Sequence, residues 1–279
     1  MRRESDGKIN PHPFFLMDAP LNNRLHPTAL IDPKAELASD VEVGPFTVIG
    51  PHVQIGQGSR VGAHANLTGH TTIGKNNQIF HSVSIGEVPQ DKKYAGEITR
   101  LDIGDNNTIR EFCTINCGTV QDGGVTRIGN DNWIMAYVHV AHDCQVGNHA
   151  IFANCTQLAG HVHIGDYAIL GGFTGVHQFV RIGAHCMTGI SSVVVQDIPP
   201  YITVAGTPTR AYSINAEGLK RRGFDAATLL QLKRAYKILY RSGHTLAEAI
   251  ALLQVMAQSE KAIEVLVAFL SVPGRGIIR

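Results

Sequence analysis

One aliphatic position returns every six residues through most of the chain. It falls at Ile31, Leu37, Val43, Ile49, Ile55, Val61, Leu67, Ile73, Ile79 and Ile85, and again at Ile103, Ile109 and Ile115. From Ile128 it continues through Ile134, Val140, Val146, Phe152, Leu158, Ile164, Leu170, Val176 and Ile182 to Val194, with Thr188 alone out of character. Six steps of about 100° spread successive aliphatics over three faces of a helix, so no helical stripe uses this period. A long strand would need alternation at every second residue, which Pro45, Pro51 and the regular glycines break. A short strand and a tight turn per hexad fit, with one side chain pointing inward and the following Gly tolerating the bend. Stacked hexads then bury a continuous aliphatic column, a core built from units too small to fold alone.

The beat stops twice. Glu87 to Arg100 (EVPQDKKYAGEITR) leaves the wall and rejoins it in phase at Ile103, which predicts a loop projecting from one corner. Gly118 to Arg127 (GTVQDGGVTR) is shorter and holds one residue more than a whole number of hexads, as a bulge or projecting turn does. After Asp197-Ile198-Pro199-Pro200-Tyr201 an extended segment leads to Asn215, and helical patterns follow. Asp225 is placed to cap a helix through about Arg241 with Leu229, Leu232, Tyr236 and Leu239 on its apolar face, and Gly243 to end it. Thr245 and Glu248 form a capping box, and Ser259 is expected to cap a last helix ending before Pro273. The chain therefore divides into an extension at 1–25, a solenoid at 26–200 and a helical domain at 201–279 that covers the solenoid's open end. Residues 1–16 carry Arg2 and Arg3 but no signal-like apolar run, and read as a disordered extension with Met17 as an alternative start.

Composition narrows the function. A net charge of +1 and 6% aromatic residues leave no footprint for nucleic acid, and no stretch approaches the roughly 20 apolar residues of a membrane span. Cys113, Cys117, Cys144, Cys155 and Cys186 are odd in number and lack paired spacing, so reduced thiols in a cytoplasm are expected.

Histidine concentrates in the second block, at His139, His142, His149, His161, His163, His177 and His185. His142, His161 and His177 are 19 and 16 residues apart, close to the 18 of three hexads. They are expected on consecutive coils along nearly one edge, with coils about 4.8 Å apart. Such a wall suits zinc, as in hexapeptide-repeat carbonic anhydrases, or a general base for acyl transfer. Asp143 follows His142 directly and could orient it, but adjacent strand residues diverge, so this dyad requires a bend.

Several stretches are more specific than the repeat: TGHTTIG at 68–74, SIGEVPQDKKYAGE at 84–97, AHDCQVGN at 141–148, LAGH at 158–161, GVHQF at 175–179, QDIPPY at 196–201 and NAEGLKRRGF at 215–224. Through these the chain, from about His26 to Arg279, resembles the UDP-N-acetylglucosamine O-acyltransferases that open lipid A biosynthesis in Gram-negative bacteria. The resemblance implies a mainly β fold: a left-handed parallel β-helix, or hexapeptide-repeat solenoid, with a C-terminal α-helical domain. It implies a cytoplasmic homotrimer, without metal or cofactor, that takes a 3-hydroxyacyl chain from acyl carrier protein to the 3-hydroxyl of UDP-N-acetylglucosamine. It makes His142 the general base, Asp143 its orienting partner and the Gly160 N–H the oxyanion donor. Lys93, His139, His161, His177 and Gln178 would position sugar nucleotide and acyl chain, and Asn215, Glu217, Arg221 and Arg222 would hold the nucleotide. On its own, Lys220-Arg221-Arg222 reads as a solvated basic face.

Two positions depart from the family. Asn116-Cys117 stand where His-Arg is common, and the acyl-length ruler, Gly in members that accept longer chains, is Ile190. A branched side chain there implies a shorter acyl chain. The rivals are a zinc-dependent hydratase of the carbonic anhydrase type, a non-catalytic scaffold, and the N-acyltransferase of the same pathway. The last carries an N-terminal uridine-binding domain, for which the roughly 30 residues before the first hexad leave no room.

Overall fold

The computed structural model describes residues 24–279; residues 1–23 of the expected extension, with the alternative Met17, lie outside the described residues, while Leu25, at its end, bridges in parallel to Val43. From Leu30–Ile31 to Val193–Val194 the chain forms short strands, most of them two residues long, that pair in parallel with the strand three positions on. Among the described residues this generates three sheets of nine, eight and ten strands, the walls of a triangular prism. Successive coils stay in register, so that Val140 lies beside Leu158, and Leu158 beside Val176. The winding is that of a left-handed β-helix.

The inward residue of each hexad fills the prism. Ile49, Leu67, Ile79, Ile85, Ile109, Ile134, Phe152, Leu158 and Leu170 are all essentially inaccessible, and burial of each such side chain is worth roughly 1.5–3 kcal/mol. Thr188, the exception in the column, is equally buried. Its hydroxyl accepts from the Gly171 N–H at 2.9 Å and lies 2.8 Å from the Thr174 hydroxyl, so no polar atom is stranded.

The corners correct one expectation. The glycine after the aliphatic does not take the bend; that falls to the residue two places further, which is left-handed at almost every corner, as at His64 (φ 55°), Tyr167 (φ 60°) and Phe179 (φ 64°). Such values are uncommon for bulky residues. Glycine is required instead because neighbouring coils come close: a β-carbon at Gly62 would lie 2.6 Å from the His81 nitrogen, and one at Gly165 would lie 2.5 Å from that of Ala184.

Both interruptions are insertions between paired strands. Ser84 pairs with Thr114 and His70 with Arg100, a separation of 30 rather than 18 residues, so the first loop adds two whole hexads and the phase survives. Arg100 pairs with Val125, 25 residues on, which places seven inserted residues in the second loop.

After the proline turn the ten-stranded sheet continues: Ile202–Ala205 adds in parallel, and Arg210–Ile214 pairs with it antiparallel. Four helices follow, α1 (Ala216–Arg221), α2 (Ala226–Tyr240), α3 (Leu246–Ala257) and α4 (Lys261–Ser271). Asp225 caps α2, and Thr245 with Glu248 closes the capping box of α3. The last cap is not Ser259: the Glu260 carboxylate accepts from the Ala262 N–H, while the Ser259 hydroxyl donates back to the Met256 carbonyl. The tail is tied to the prism through Asp197, which is 1% exposed, accepts from the Arg181 guanidinium at 2.7 Å, donates its N–H to the Gly276 carbonyl and offers its own carbonyl to the Ile278 N–H.

Candidate active site

A cleft of about 710 Å³ runs along the outer face of the nine-stranded sheet. His139 stands on a strand of that sheet, and His142 and Gly160 sit where the chain leaves it for the corner. His177 and Gln178 lie further along the same cleft, and Gln90, Asp91 and Lys92 of the first loop close its other side. Lys93 is exposed beside them; its N–H donates to the Asp91 carboxylate at 3.0 Å.

The bend that the His142–Asp143 dyad needs is present. Asp143 is the left-handed corner residue, at φ 61°, so its side chain turns back along the chain instead of diverging. His142 Nδ1 lies 2.9 Å from Asp143 Oδ2, both residues are buried, and the carboxylate being an acceptor, the ring nitrogen donates. His142 thus sits at the corner and faces out of the prism into the cleft. Asp143 is held in turn: the Thr119 N–H donates to Oδ1 at 2.8 Å, the Thr119 hydroxyl to Oδ2 at 2.6 Å, and the Asp143 N–H donates to Thr126 Oγ1 at 2.8 Å. Burial pushes the Asp143 carboxyl up, but the hydrogen bonds from His142 and Thr119 outweigh it and hold the group below the usual carboxylate range.

Gly160 lies against the His142 ring, where a β-carbon would be 2.6 Å from Nε2. Among the described residues nothing accepts from its N–H. His139 donates to or accepts from the Thr114 hydroxyl at 2.7 Å, and burial, with His142 nearby, keeps it less basic than an ordinary histidine.

The histidine wall is staggered rather than aligned. Spacings of 19 and 16 instead of 18 place His142 two residues past its inward aliphatic, His161 three past and His177 one past. Only the first two rings meet, edge-on with centroids 5.0 Å apart. The ring stacked on His161 is Phe179, at 4.3 Å.

Asn215, Glu217, Arg221 and Arg222 stand on another corner. Asn215 caps α1 and donates to the His185 carbonyl at 3.0 Å, and the Arg222 guanidinium lies 4.4 Å above the Tyr167 ring. Those partners belong to the stack His149, Tyr167, His185 and Tyr201 at the junction of the eight- and ten-stranded sheets. Glu217 pairs with Lys220, and Arg221 is exposed. Ile190, 71% exposed, occupies the third corner, between the ten- and nine-stranded sheets. Within one chain, therefore, these five residues do not line the cleft that holds His142.

Position-by-position reading missed Thr119 and Asp122, which reach the site from the second loop. The one available signal was that this loop is inserted one coil before His142, in a seven-residue excess. Asn116 is buried at this level; its amide donates to the Val88 carbonyl at 2.9 Å.

Among the described residues one trio could hold a metal: ligand atoms of His142, Asp143 and His161 all lie within 4.8 Å of one another. Both Asp143 oxygens, however, already accept hydrogen bonds from Thr119, and the Nδ1 atoms of both rings face carboxylates.

A β-helix of hexads with an imidazole–carboxylate dyad and a glycine lining an outer cleft defines a hexapeptide-repeat transferase. Residues 34–69 and 126–160 match the bacterial transferase hexapeptide model, and residues 197–278 match the second domain of UDP-N-acetylglucosamine O-acyltransferase. A protein of Thiobacillus denitrificans named acyl-(acyl-carrier-protein)–UDP-N-acetylglucosamine O-acyltransferase is 66% identical over 255 residues, 91% of this chain and 99% of that protein. The crystal structure of the UDP-N-acetylglucosamine O-acyltransferase of Moraxella catarrhalis superimposes with a TM-score of 0.90 at 44% identity, covering 92% of this chain and all of that one, 100%. The Arabidopsis UDP-N-acetylglucosamine acyltransferase does so with 0.78 at 33% identity, covering 91% and 100%. The chain belongs to the UDP-N-acetylglucosamine O-acyltransferase family. The relatives give the zinc hydratase reading no support.

Proposed function

We propose that the protein transfers a 3-hydroxyacyl chain from acyl carrier protein to the 3-hydroxyl of UDP-N-acetylglucosamine, the first step of lipid A biosynthesis, in the cytoplasm. The observation that carries this reading is the buried His142–Asp143 pair set against Gly160 in one cleft, in a chain whose close relatives are named acyl-(acyl-carrier-protein)–UDP-N-acetylglucosamine O-acyltransferases. With Nδ1–H committed to Asp143, the lone pair of Nε2 is free to take the sugar hydroxyl proton as its oxygen attacks the thioester carbonyl. Base catalysis of this kind contributes about 10²- to 10⁴-fold. The Gly160 N–H donates to the carbonyl oxygen as it gains charge, a contribution of about 2.7–4 kcal/mol in comparable sites. When the carbon–sulfur bond breaks, the imidazolium returns its proton to the departing thiolate. The ester, the free thiol and neutral His142 remain.

Lys93, His139, His161, His177 and Gln178 position sugar nucleotide and acyl chain in this reading, and Asn215, Glu217, Arg221 and Arg222 hold the nucleotide, the arginines against its diphosphate. The two groups of residues lie on different corners of one prism, so a complete site needs a second chain laid alongside. Exposed Phe112, Tyr137 and Phe173 on the third corner offer apolar surface for such packing. The assembly is a homotrimer, with residues 26–200 supplying the prism and 201–279 the helical cap.

Acyl transfer from 3-hydroxyacyl carrier protein, measured for the wild type and His142→Ala after chelator treatment, tests the reading. Metal-independent transfer that collapses in a folded variant supports it. Transfer that requires zinc, or none in the wild type, overturns it.

A further inference from the structure

The loop inserted at Gly118–Arg127 delivers a second carboxylate to the site. A 3₁₀ turn, Val120–Asp122, is closed by left-handed Gly123 and Gly124 (φ 78° and 72°), and the Gly124 N–H returns to the Thr119 carbonyl at 2.9 Å. This tight turn presents Thr119 to Asp143 and, three residues on, Asp122 to His161: Asp122 Oδ2 lies 2.8 Å from His161 Nδ1.

The same His161 nitrogen is 3.8 Å from Asp143 Oδ2, the oxygen that His142 Nδ1 approaches to 2.9 Å. Two imidazoles therefore face one carboxylate oxygen, which already accepts from the Thr119 hydroxyl at 2.6 Å. An ionised carboxylate offers about four lone-pair sites, two on each oxygen, and Thr119 with His142 fills both on Oδ2. Any further donor displaces one of them. Parallel stacking on Phe179 leaves the His161 ring free to slide in its own plane, and a slide of about 1 Å would bring Nδ1 within hydrogen-bonding range of Asp143.

The geometry points to Asp122 as a positioning residue that takes the Nδ1–H of His161 and so reserves Asp143 for His142. It acts through the base and touches no reacting atom. The inference rests on His142 being that base, and it adds a reason for the second loop to reach across the corner.

Asp122→Ala and Asp122→Asn test it, alone and in a His161→Phe background, where the ring at 161 has no donor. Misplacement by about 1 Å can cost about 10²-fold in rate, so Asp122→Ala is expected to lower kcat roughly 10- to 100-fold with KM little changed. Asp122→Asn keeps an acceptor oxygen and should retain most of kcat. In the His161→Phe background Asp122→Ala should have no further effect. Ring-nitrogen NMR of ¹⁵N-histidine-labelled protein without substrate should show His142 protonated at Nδ1 in the wild type and mixed between tautomers in Asp122→Ala. Unchanged His142 signals and unchanged kcat in Asp122→Ala would overturn the inference. So would an equal loss in the His161→Phe background, which would make Asp122 a prop for the loop alone. If transfer proves independent of His142 the base reading fails, yet the ring signals still decide whether Asp122 keeps the two imidazoles apart.

Discussion

The Thr119 hydroxyl donates to Asp143 Oδ2 at 2.6 Å across 24 residues of sequence, and the Thr119 N–H grips the other oxygen at 2.8 Å. A projecting loop thus fixes both oxygens of the carboxylate that orients His142. Thr119→Val removes the hydroxyl alone and leaves a buried acceptor short of a donor, which costs about 1–3 kcal/mol. A matching fall in denaturation free energy is expected, with kcat reduced about tenfold or more. Thr119→Ser should recover both.

Asp143 also sets a pH dependence. Its folded-state pKa lies below the unfolded value, so its charged partnerships stabilise the protein above about pH 3.9, and that stability is lost as pH falls through the lower folded value. Asn accepts the left-handed backbone of this corner but carries no charge. Asp143→Asn is therefore expected to melt below the wild type at pH 7, with the gap narrowing below about pH 4. Melting temperatures across this range check it; a constant gap would locate the loss elsewhere.

At position 160 the test is steric. The methyl of Gly160→Ala would overlap the His142 ring, whose Nε2 lies only 2.6 Å from the β-carbon position. Overpacking costs about 1–3 kcal/mol, and the imidazole must tilt away from its line with Asp143. Initial rates should fall by about 10²-fold while circular dichroism keeps the β-helix signature.

Ile190 decides acyl length in the proposed reading. Its branched side chain shortens the groove that the acyl chain enters, and each methylene left unburied forfeits about 0.8 kcal/mol. Ile190→Gly should move the kcat/KM optimum toward longer acyl carrier protein thioesters. A wild type that already prefers the longest chain would remove the idea.

The hexad period was sufficient for the prism because a solenoid core is local: each inward aliphatic meets its counterparts one coil away, so the spacing alone names the contacts. Caps that act within three residues, Asp225 and Thr245 with Glu248, were legible for the same reason, while Ser259 lost to Glu260 one place on. The site was legible only in part. The reading that placed Gly at each bend missed that Asp143 itself takes the left-handed corner and so meets His142.

By itself, then, the sequence determined the repeat, the aliphatic column, the two insertions and the residue types gathered near the second of them. Tertiary structure alone decided that Thr119 and Asp122 reach Asp143 and His161, and that Asn215 and Arg222 stand on a different corner from the base. The physical reason is range. Stacking of hexads depends on spacing alone, but a loop has no period, and where its side chains land is set by the turn it makes and the corner it crosses.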